Sequence, residues 1–498
     1  MSEWSHGYNV SVGYSYGFYR EMAPDWLDFC AWVGGFEAPD RRAKPFRYLE
    51  LGSGQGFGLC VLAAANPRAQ FVGVDFQAEH IEHASGLAKA AGLSNIRFVQ
   101  ADFLDLAEQW PEEFGTFDYV ALHGTISYLS YPLRQAVTKC LARATAPGGL
   151  VYVSYNALPG CLSTVPLQHF SRRIQETTDQ RGAAPVDESI ALLEGLAAAN
   201  APVFQAFPAL EARLAALKTR DKEYLVHEYL SESWNLFWHS DVARELQRAN
   251  LQYVASATLA DNLVREFLQP PVYQAVVGQK TEELRGDLEA FIVNQSFRRD
   301  IFCRDAKPRA DSTSKEALQV HLAASLEPSH PLRFDTSFGP VGWDPAVFTA
   351  IIAALEGGSK SLGALIRLPN PTKWKPRHIL LLLLHATVLA PEAAEPGDVE
   401  AAERFNAVIA RAVSDGAPYR ALAAASLGSG VTVSDIDLML LDSWIDSQRS
   451  DDSSILANGL SQRLEKAVRA AEAGNAKSLA MVFIDQTLPR WRRLGAVE

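Results

Sequence analysis

The chain is short of cysteine, of basic charge and of long apolar runs, and each shortage removes a class of answers. Its five cysteines, Cys30, Cys60, Cys140, Cys161 and Cys303, are odd in number and far apart. They build no disulfide framework of the secreted kind and suit reduced thiols in the cytoplasm. Lysine and arginine together number 46 against 58 acids, which leaves a net charge of −12. A general nucleic-acid surface is basic, so no nucleic-acid partner is expected. The apolar stretch ILLLLLHATVLA at 379–390 is too short for a membrane span and contains a histidine. The first residues lack a basic stretch followed by an apolar core, so no secretory signal is expected. What remains is a globular composition, 48% hydrophobic and 21% charged, over 498 residues. That length predicts roughly two to four domains.

The most informative stretch is 48–58, Tyr-Leu-Glu-Leu-Gly-Ser-Gly-Gln-Gly-Phe-Gly. An apolar strand over 46–51 runs into a Gly-x-Gly-x-Gly turn, and a helical pattern, LCVLAAA, follows Gly58. A nucleotide at such a turn sits at the carboxyl end of the first strand of an open α/β sheet. A dinucleotide fingerprint needs Gly-x-Gly-x-x-Gly. Counting from Gly52 or Gly54, the third glycine is replaced by Phe57 or Leu59. A second strand, 71–74, ends in Asp75-Phe76, and an acid there can accept hydrogen bonds from both ribose hydroxyls. A third, 96–99, precedes Ala101-Asp102-Phe103. A fourth, 117–122, ends in His123-Gly124, and Ala146-Pro147-Gly148-Gly149 turns into a fifth at 150–155. Strands alternate with helices at βαβ spacing.

The pattern Glu50-x-Gly52-x-Gly54-x-Gly56 resembles motif I of class I methyltransferases that use S-adenosylmethionine (SAM). The segments HGTISYL (123–129), SYNALPG (154–160), YLVHEYL (224–230) and FRRDIFCR (297–304) resemble methyltransferases with a methyltransferase regulatory domain. Bacterial outer-membrane-protein lysine methyltransferases belong to that group. The resemblance covers roughly 1–306 well and the rest loosely. It implies SAM as cofactor, held by Glu50, Gly52, Ser53, Gly54, Gly56, Asp75, Phe76, Asp102, Phe103 and His123. It also implies a protein or peptide acceptor. Two positions depart from the family pattern. Tyr128 stands where the family has tryptophan after serine, and Cys161 stands where it has tryptophan after Pro-Gly. Both lie near the expected mouth of the site and leave the acceptor open.

The expected fold is α/β, a Rossmann-like methyltransferase sheet of seven strands with the last antiparallel. Strands six and seven are expected at 252–258 and 297–303. The core then comprises 1–156 and 225–306, interrupted by a helical insertion at 157–224, the regulatory or middle region. A linker at 307–316 leads to a mainly helical domain, 317–498. Three helical stretches at 343–358, 361–368 and 375–390 resemble a small winged-helix bundle. The third is too apolar for a DNA groove, which points to partner or substrate contact.

Strand four lacks the (Asp/Asn)-Pro-Pro-(Tyr/Phe) of DNA amino-methyltransferases. His123 is a candidate base or orienting group. Tyr128, Tyr155 and Asn156 are expected to rim the same crevice. The aromatic stretch 14–19, with Tyr16 and Tyr19, is expected to lid the cofactor, its rings drawn to the sulfonium. His227-Glu228 is a further candidate at the cleft. Glu79-His80-Ile81-Glu82-His83 looks like a metal cluster but falls on a helix, where a solvated face is expected, so no metal is assigned. The leading function is SAM-dependent methyl transfer to a protein lysine. A small-molecule or saccharide methyltransferase and a non-catalytic SAM-binding assembly module are the alternatives. The sequence leaves the oligomeric state open, a homodimer included.

Overall fold

The computed structural model describes residues 16–41, 44–218, 220–309, 318–323, 332–343, 346–369, 375–466 and 474–498. Tyr14, Ser15 and most of the expected linker lie outside them.

Seven strands form the central sheet: β1 (Arg47–Leu51), β2 (Gln70–Asp75), β3 (Ile96–Gln100), β4 (Phe117–Leu122), β5 (Thr145–Asn156), β6 (Leu251–Ser256) and β7 (Phe297–Arg304). Their order is β3-β2-β1-β4-β5-β7-β6. The first five pair in parallel, and β7 runs antiparallel to both β5 and β6. The runs FVGV, YVAL and LVYVS are buried on both faces, which is why they read as continuous apolar segments. One expectation changes. Ala146 to Gly149 is no turn outside the sheet but an irregularity within β5. Thr145 pairs with Phe117 and Leu150 with Tyr119, so the residues between form a bulge.

The helices α1 (Pro24–Val33), α2 (Phe57–Ala65), α3 (Ala78–Ala90), α4 (Phe103–Glu108) and α5 (Tyr131–Ala144) accompany β1 to β5. Between β5 and β6 come α6 (Val165–Thr177), α7 (Ala184–Ala198), α8 (Pro202–Ala206), α9 (Ala209–Leu217), α10 (Lys222–Tyr229) and α11 (His239–Gln247). The group α6 to α10 has its own apolar core, from Leu167 through Val186, Leu193, Leu214 and Leu225 to Leu230.

After β7, the helices Ala346–Glu356, Leu362–Ile366 and Pro376–His385 join a three-stranded sheet of Gln319–Leu322, Lys360–Ser361 and Leu389–Pro391. The apolar third helix turns inward. Ile379 to Leu384 are between 0% and 4% exposed and belong to the main core. Burying a leucine side chain stabilises by about 1.5–3 kcal/mol. That demand is met inside the molecule, which corrects the expectation of partner or substrate contact for this helix. Arg20 seals its carboxyl end by donating to the carbonyls of Leu384 and His385 at 2.6 and 2.5 Å.

The last part of the chain covers α2. Phe57, Cys60, Val61 and Ala64 pack in one cluster with Phe405, Ile409, Tyr419, Leu422 and Trp444. Helix α2 carries no charged residue and is buried on the sheet side and on this side. An all-round apolar helix needs both covers. The C-terminal region is therefore part of the cofactor domain's packing. A chain ending at residue 309 is expected to expose α2, bind hydrophobic dye and lose cooperative unfolding in urea. A soluble 1–309 fragment with one sharp transition would contradict this packing.

Candidate active site

The site begins where β1 ends. The N–H groups of Gly52 and Ser53 both donate to the Val74 carbonyl, at 2.8 and 2.9 Å. The Gly54 N–H donates to Asp75 Oδ2 at 2.9 Å. Gly56 has φ of +69°, and a Cβ there would lie 2.4 Å from the Ala84 Cβ and 2.8 Å from the Phe98 ring. Glycine is required both for the backbone and for the approach of α3 and β3.

Asp75 is more heavily engaged than a free ribose acceptor. Its Oδ1 also accepts from the Gln77 N–H at 3.0 Å and lies 3.2 Å from His80 Nδ1. The stretch 79–83 is thus a solvated face only at Glu79 and Glu82, while its two histidines turn inward. His80 is buried on Asp75, and His83 lies 2.8 Å from the Gln55 carbonyl and 2.8 Å from the Tyr419 hydroxyl. Among the described residues no cluster of three ligating side chains forms. These two histidines are supports of the turn that sequence reasoning missed. Their spacing of three on one helix face, directly after a strand-end acid, was the available signal.

Two adjoining cavities share Gly52, Gly54 and His123 as walls. The first is further lined by Asp75, Phe76, His80, Asp102, Phe103, Tyr128 and Leu133. Asp102 caps α4, its Oδ1 accepting from the Leu104 N–H at 2.7 Å. The second cavity is lined by Tyr19, Glu50, Ser53, Gln55 and Gly56. Every residue expected to hold the cofactor therefore borders one or both of these adjoining cavities, which together form the crevice. Their chemistry fits SAM. Ser53 Oγ is buried with no hydrogen-bond partner among the described residues, so a polar ligand group would satisfy it. Burial, with the charge of Asp75 adding to it, pushes the Glu50 carboxyl up to about 8. A cationic ligand beside it would favour its ionised form.

The catalytic candidates divide. His123 stacks on Tyr19 with ring centroids 3.8 Å apart, and its Nδ1 lies 2.9 Å from the Tyr152 hydroxyl. Burial, aided by the charge of Arg299, drives the His123 imidazole down to about 3. It is neutral at physiological pH and too weak a base to deprotonate an ammonium, which leaves orientation as its part. Tyr16 is not brought to the crevice. It packs edge-on against His83 and Tyr419, with centroids 5.0 and 5.5 Å away. Tyr155 points to the other sheet face, where its hydroxyl donates to the buried Asp300 at 2.5 Å. Asn156 points the opposite way and donates to Glu228 Oε1 at 3.0 Å. Cys161 is buried and donates to the Ser296 carbonyl.

Two family models match the chain. One, described as a methyltransferase domain, covers residues 43–188. The other, described as a predicted methyltransferase regulatory domain, covers residues 221–304 and so includes α10, α11, β6 and β7. An uncharacterized protein of Synechocystis is 33% identical over 365 residues, 73% of this chain and 71% of that protein. The chain also resembles the structure of PKMT2 from Rickettsia typhi in complex with AdoHcy. The TM-score is 0.70 at 16% identity, over 97% of this chain and 99% of the other. A tRNA (guanine-N(7)-)-methyltransferase of Chloroflexus aurantiacus is 36% identical, but over 118 residues, 22% of this chain and 49% of that protein.

The Glu50 environment generates a pH signature. The ligand-free carboxyl is protonated below about 8, and a bound cation favours its ionised form. Cofactor binding at pH 7 should then release a proton. SAM affinity is expected to rise, by up to about tenfold per pH unit, between pH 6 and 8 and then level off. Glu50→Gln should flatten that rise. Calorimetric titrations at pH 6, 7 and 8.5 measure both; an equal slope in the two proteins would remove Glu50 from the cation's surroundings.

Proposed function

The chain belongs to the class I SAM-dependent methyltransferases that carry a methyltransferase regulatory domain, and on that premise we propose that its acceptor is a lysine side chain of a protein. One observation carries the proposal. The segments that resemble methyltransferases with a regulatory domain, a group that includes lysine methyltransferases, are far apart in sequence, yet they meet beside the crevice. His123 and Tyr128 come from the first, Asn156 from the second, Glu228 from the third and Arg299 from the fourth. Asn156 and Tyr128 are both hydrogen-bonded to Glu228, and Arg299 acts on His123 through its charge. The likeness to PKMT2 extends over the whole chain and supports the same reading. The tRNA methyltransferase likeness is confined to about a fifth of it. A net charge of −12 favours the approach of a cationic acceptor over an anionic one.

Bound SAM supplies an electrophilic methyl group on a sulfonium. In this reading Asp75, Phe76, Asp102 and Phe103 would hold the adenosine end. Glu50, Ser53 and Gly54 would hold the methionyl end. Tyr19 and the neutral His123 wall the junction of the two cavities. They exclude water and orient the acceptor for in-line attack, where near-attack alignment supplies much of the rate.

Methyl-labelled SAM offered with lysine-bearing proteins, tRNA and small amines tests the acceptor. The expected result is label in protein, located on lysine by mass spectrometry and abolished by prior chemical dimethylation of the lysines. Label in tRNA or only in small amines would reassign the acceptor. Tight SAM binding with no transfer to any of the three would favour a non-catalytic binding module.

A further inference from the structure

Glu228 lies on α10, in the stretch matched by the regulatory-domain model, and is 5% exposed. Four side chains donate to its carboxylate: Asn156 Nδ2 at 3.0 Å and Trp234 Nε1 at 3.2 Å to Oε1, and the hydroxyls of Tyr128 and, at 3.3 Å, Tyr224 to Oε2. Among the described residues no lysine or arginine forms an ion pair with it. Buried carboxylates are ordinarily matched by a cation. Its direct partners are neutral donors, and the nearby Arg213 guanidinium is engaged with the Tyr229 hydroxyl at 3.2 Å, which leaves the carboxylate suited to receiving a cation.

Tyr128 links this carboxylate to the crevice. Its ring lines the first cavity, beside His123 and Gly124. Its hydroxyl proton is committed to Glu228, and its oxygen acts as an acceptor toward its other neighbours, the Asn156 amide at 3.5 Å among them. The arrangement is held from several sides. The Asn235 N–H and Nδ2 donate to the Ser127 carbonyl at 2.7 and 3.1 Å, and Nδ2 also reaches the Leu129 carbonyl at 2.9 Å. Ser127 Oγ accepts from the Asn156 N–H at 2.9 Å. The carboxylate of Asp221 caps α10, accepting from the Glu223 N–H at 2.8 Å. The turn that carries Tyr128 is therefore clamped by the chain on both sides of Glu228.

We infer that Tyr128 is the acceptor-side catalytic residue and that Glu228 is its positioning carboxylate, so that the regulatory region completes the active site. This rests on the amine-acceptor reading above. The acceptor ammonium donates one N–H to Tyr128 Oη. That proton moves to Oη as the phenol proton moves to Glu228, leaving a neutral amine and a neutral carboxyl group. The amine lone pair then forms the N–C bond while the C–S bond breaks, and its electron pair stays on sulfur. Glu228 returns its proton through Tyr128 to solvent after the methylated product leaves. No oxidant or further reactant is needed. The hydroxyl exists because position 128 is tyrosine, where the family pattern has tryptophan.

The hydrogen-bond pattern provides a discriminating variant. Both donors of fixed polarity, the Asn156 amide and the Trp234 indole, address Oε1. Both rotatable hydroxyls address Oε2. Glu228→Gln keeps the shape and keeps Oε1 as an acceptor. Its amide nitrogen takes the place of Oε2, and the Tyr128 hydroxyl must turn to accept from it. The phenol proton then faces away from residue 228, and Tyr128 loses its capacity to take a proton from an ammonium. The fold keeps its hydrogen bonds while the chemistry is reversed.

The test uses the full-length chain and the lysine peptide that takes label in the transfer assay. Glu228→Gln and Tyr128→Phe are each expected to lower kcat by about 10²-fold, the scale of a positioned proton-transfer group. SAM affinity and melting temperature should stay at wild-type values. With S-adenosylhomocysteine bound, wild type should hold the lysine peptide more tightly than its norleucine counterpart, and Glu228→Gln should lose that preference. Glu228→Asp should recover part of kcat, because the carboxylate is restored at shorter reach. Wild-type kcat in Glu228→Gln, or an unchanged lysine preference, overturns the inference while leaving lysine methylation standing. A drop in SAM affinity and melting temperature parallel to kcat overturns it in favour of a structural part. Failure of the wild type to label any amine removes both this inference and the reading it rests on.

Discussion

The crevice depends on a single junction, the bonding of the turn after β1 to the tip of β2. A turn with three glycines at positive φ has backbone N–H groups that no local carbonyl can satisfy, and buried N–H groups need partners. The tip of β2 supplies them: the Val74 carbonyl takes two and the Asp75 carboxylate one. Asp75 can do so only because Gln77 and His80 fix its other oxygen. The constraint runs onward through α3. His83 ties the turn at Gln55 to Tyr419 in the C-terminal region. The cofactor turn is thus braced by residues more than three hundred positions away, and the C-terminal cover of α2 belongs to the same brace.

At the opposite end of the sheet a second buried network sets the register of β7. Burial alone would raise the Asp300 carboxyl, but Arg298 and His239 outweigh it and hold the group below its ordinary range. Tyr155 donates to the same carboxylate. Removing one member of such a buried ionic group typically costs about 3–5 kcal/mol, because the remaining charge is left unpaired. The network joins β5, α11 and β7, and these elements bracket the long excursion of α6 to α10. An antiparallel strand between two others has no covalent neighbour to set its register, so side chains must set it. Asn156 and Glu228 face each other across that excursion as a consequence.

How much of this was readable in the sequence follows from how local each feature is. The lining of the crevice was readable because its parts sit at strand ends, and strand ends are marked by apolar runs, glycine and acids. Strand six was readable from the apolar alternation in 251–259 and strand seven from the β character of 296–304, while the antiparallel sense of the seventh strand came from the resemblance to class I methyltransferases. Tyr155 was misplaced because adjacent strand residues face opposite ways, and the sequence does not say which of Tyr155 and Asn156 faces the cofactor. The neutrality of His123 depends on burial and on Arg299, a residue from a different strand. Helix α3 read as solvated because its composition is polar; its inner face is turned to the turn, where polar groups are what the site requires. The charge-free LCVLAAA of α2 was read only as a helix; an all-round apolar helix needs a second cover, and nothing local says that the chain beyond residue 400 provides it.

The two halves of the crevice are built by different rules, and this bears on how acceptors can vary. The cofactor side comes from 50–56, 75–76 and 102–103, within three consecutive βα units, and uses backbone N–H groups and carboxylates at fixed strand ends. It has little freedom, since each change disturbs a turn or a cap. The proposed acceptor side comes from 123–128, 156 and 224–234, segments that meet only through tertiary packing. There the contacts are side chain to side chain, between Tyr128, Asn156, Tyr224, Trp234 and Glu228. Substitution at one such position alters the acceptor wall without touching the turn that holds the cofactor. The tyrosine at 128 shows the principle: its ring contributes an aromatic wall, and its hydroxyl reaches a buried carboxylate. The stretch matched by the regulatory-domain model supplies Glu228 as well as two strands of the sheet, so the proposed acceptor wall and the sheet edge are built from the same piece of chain.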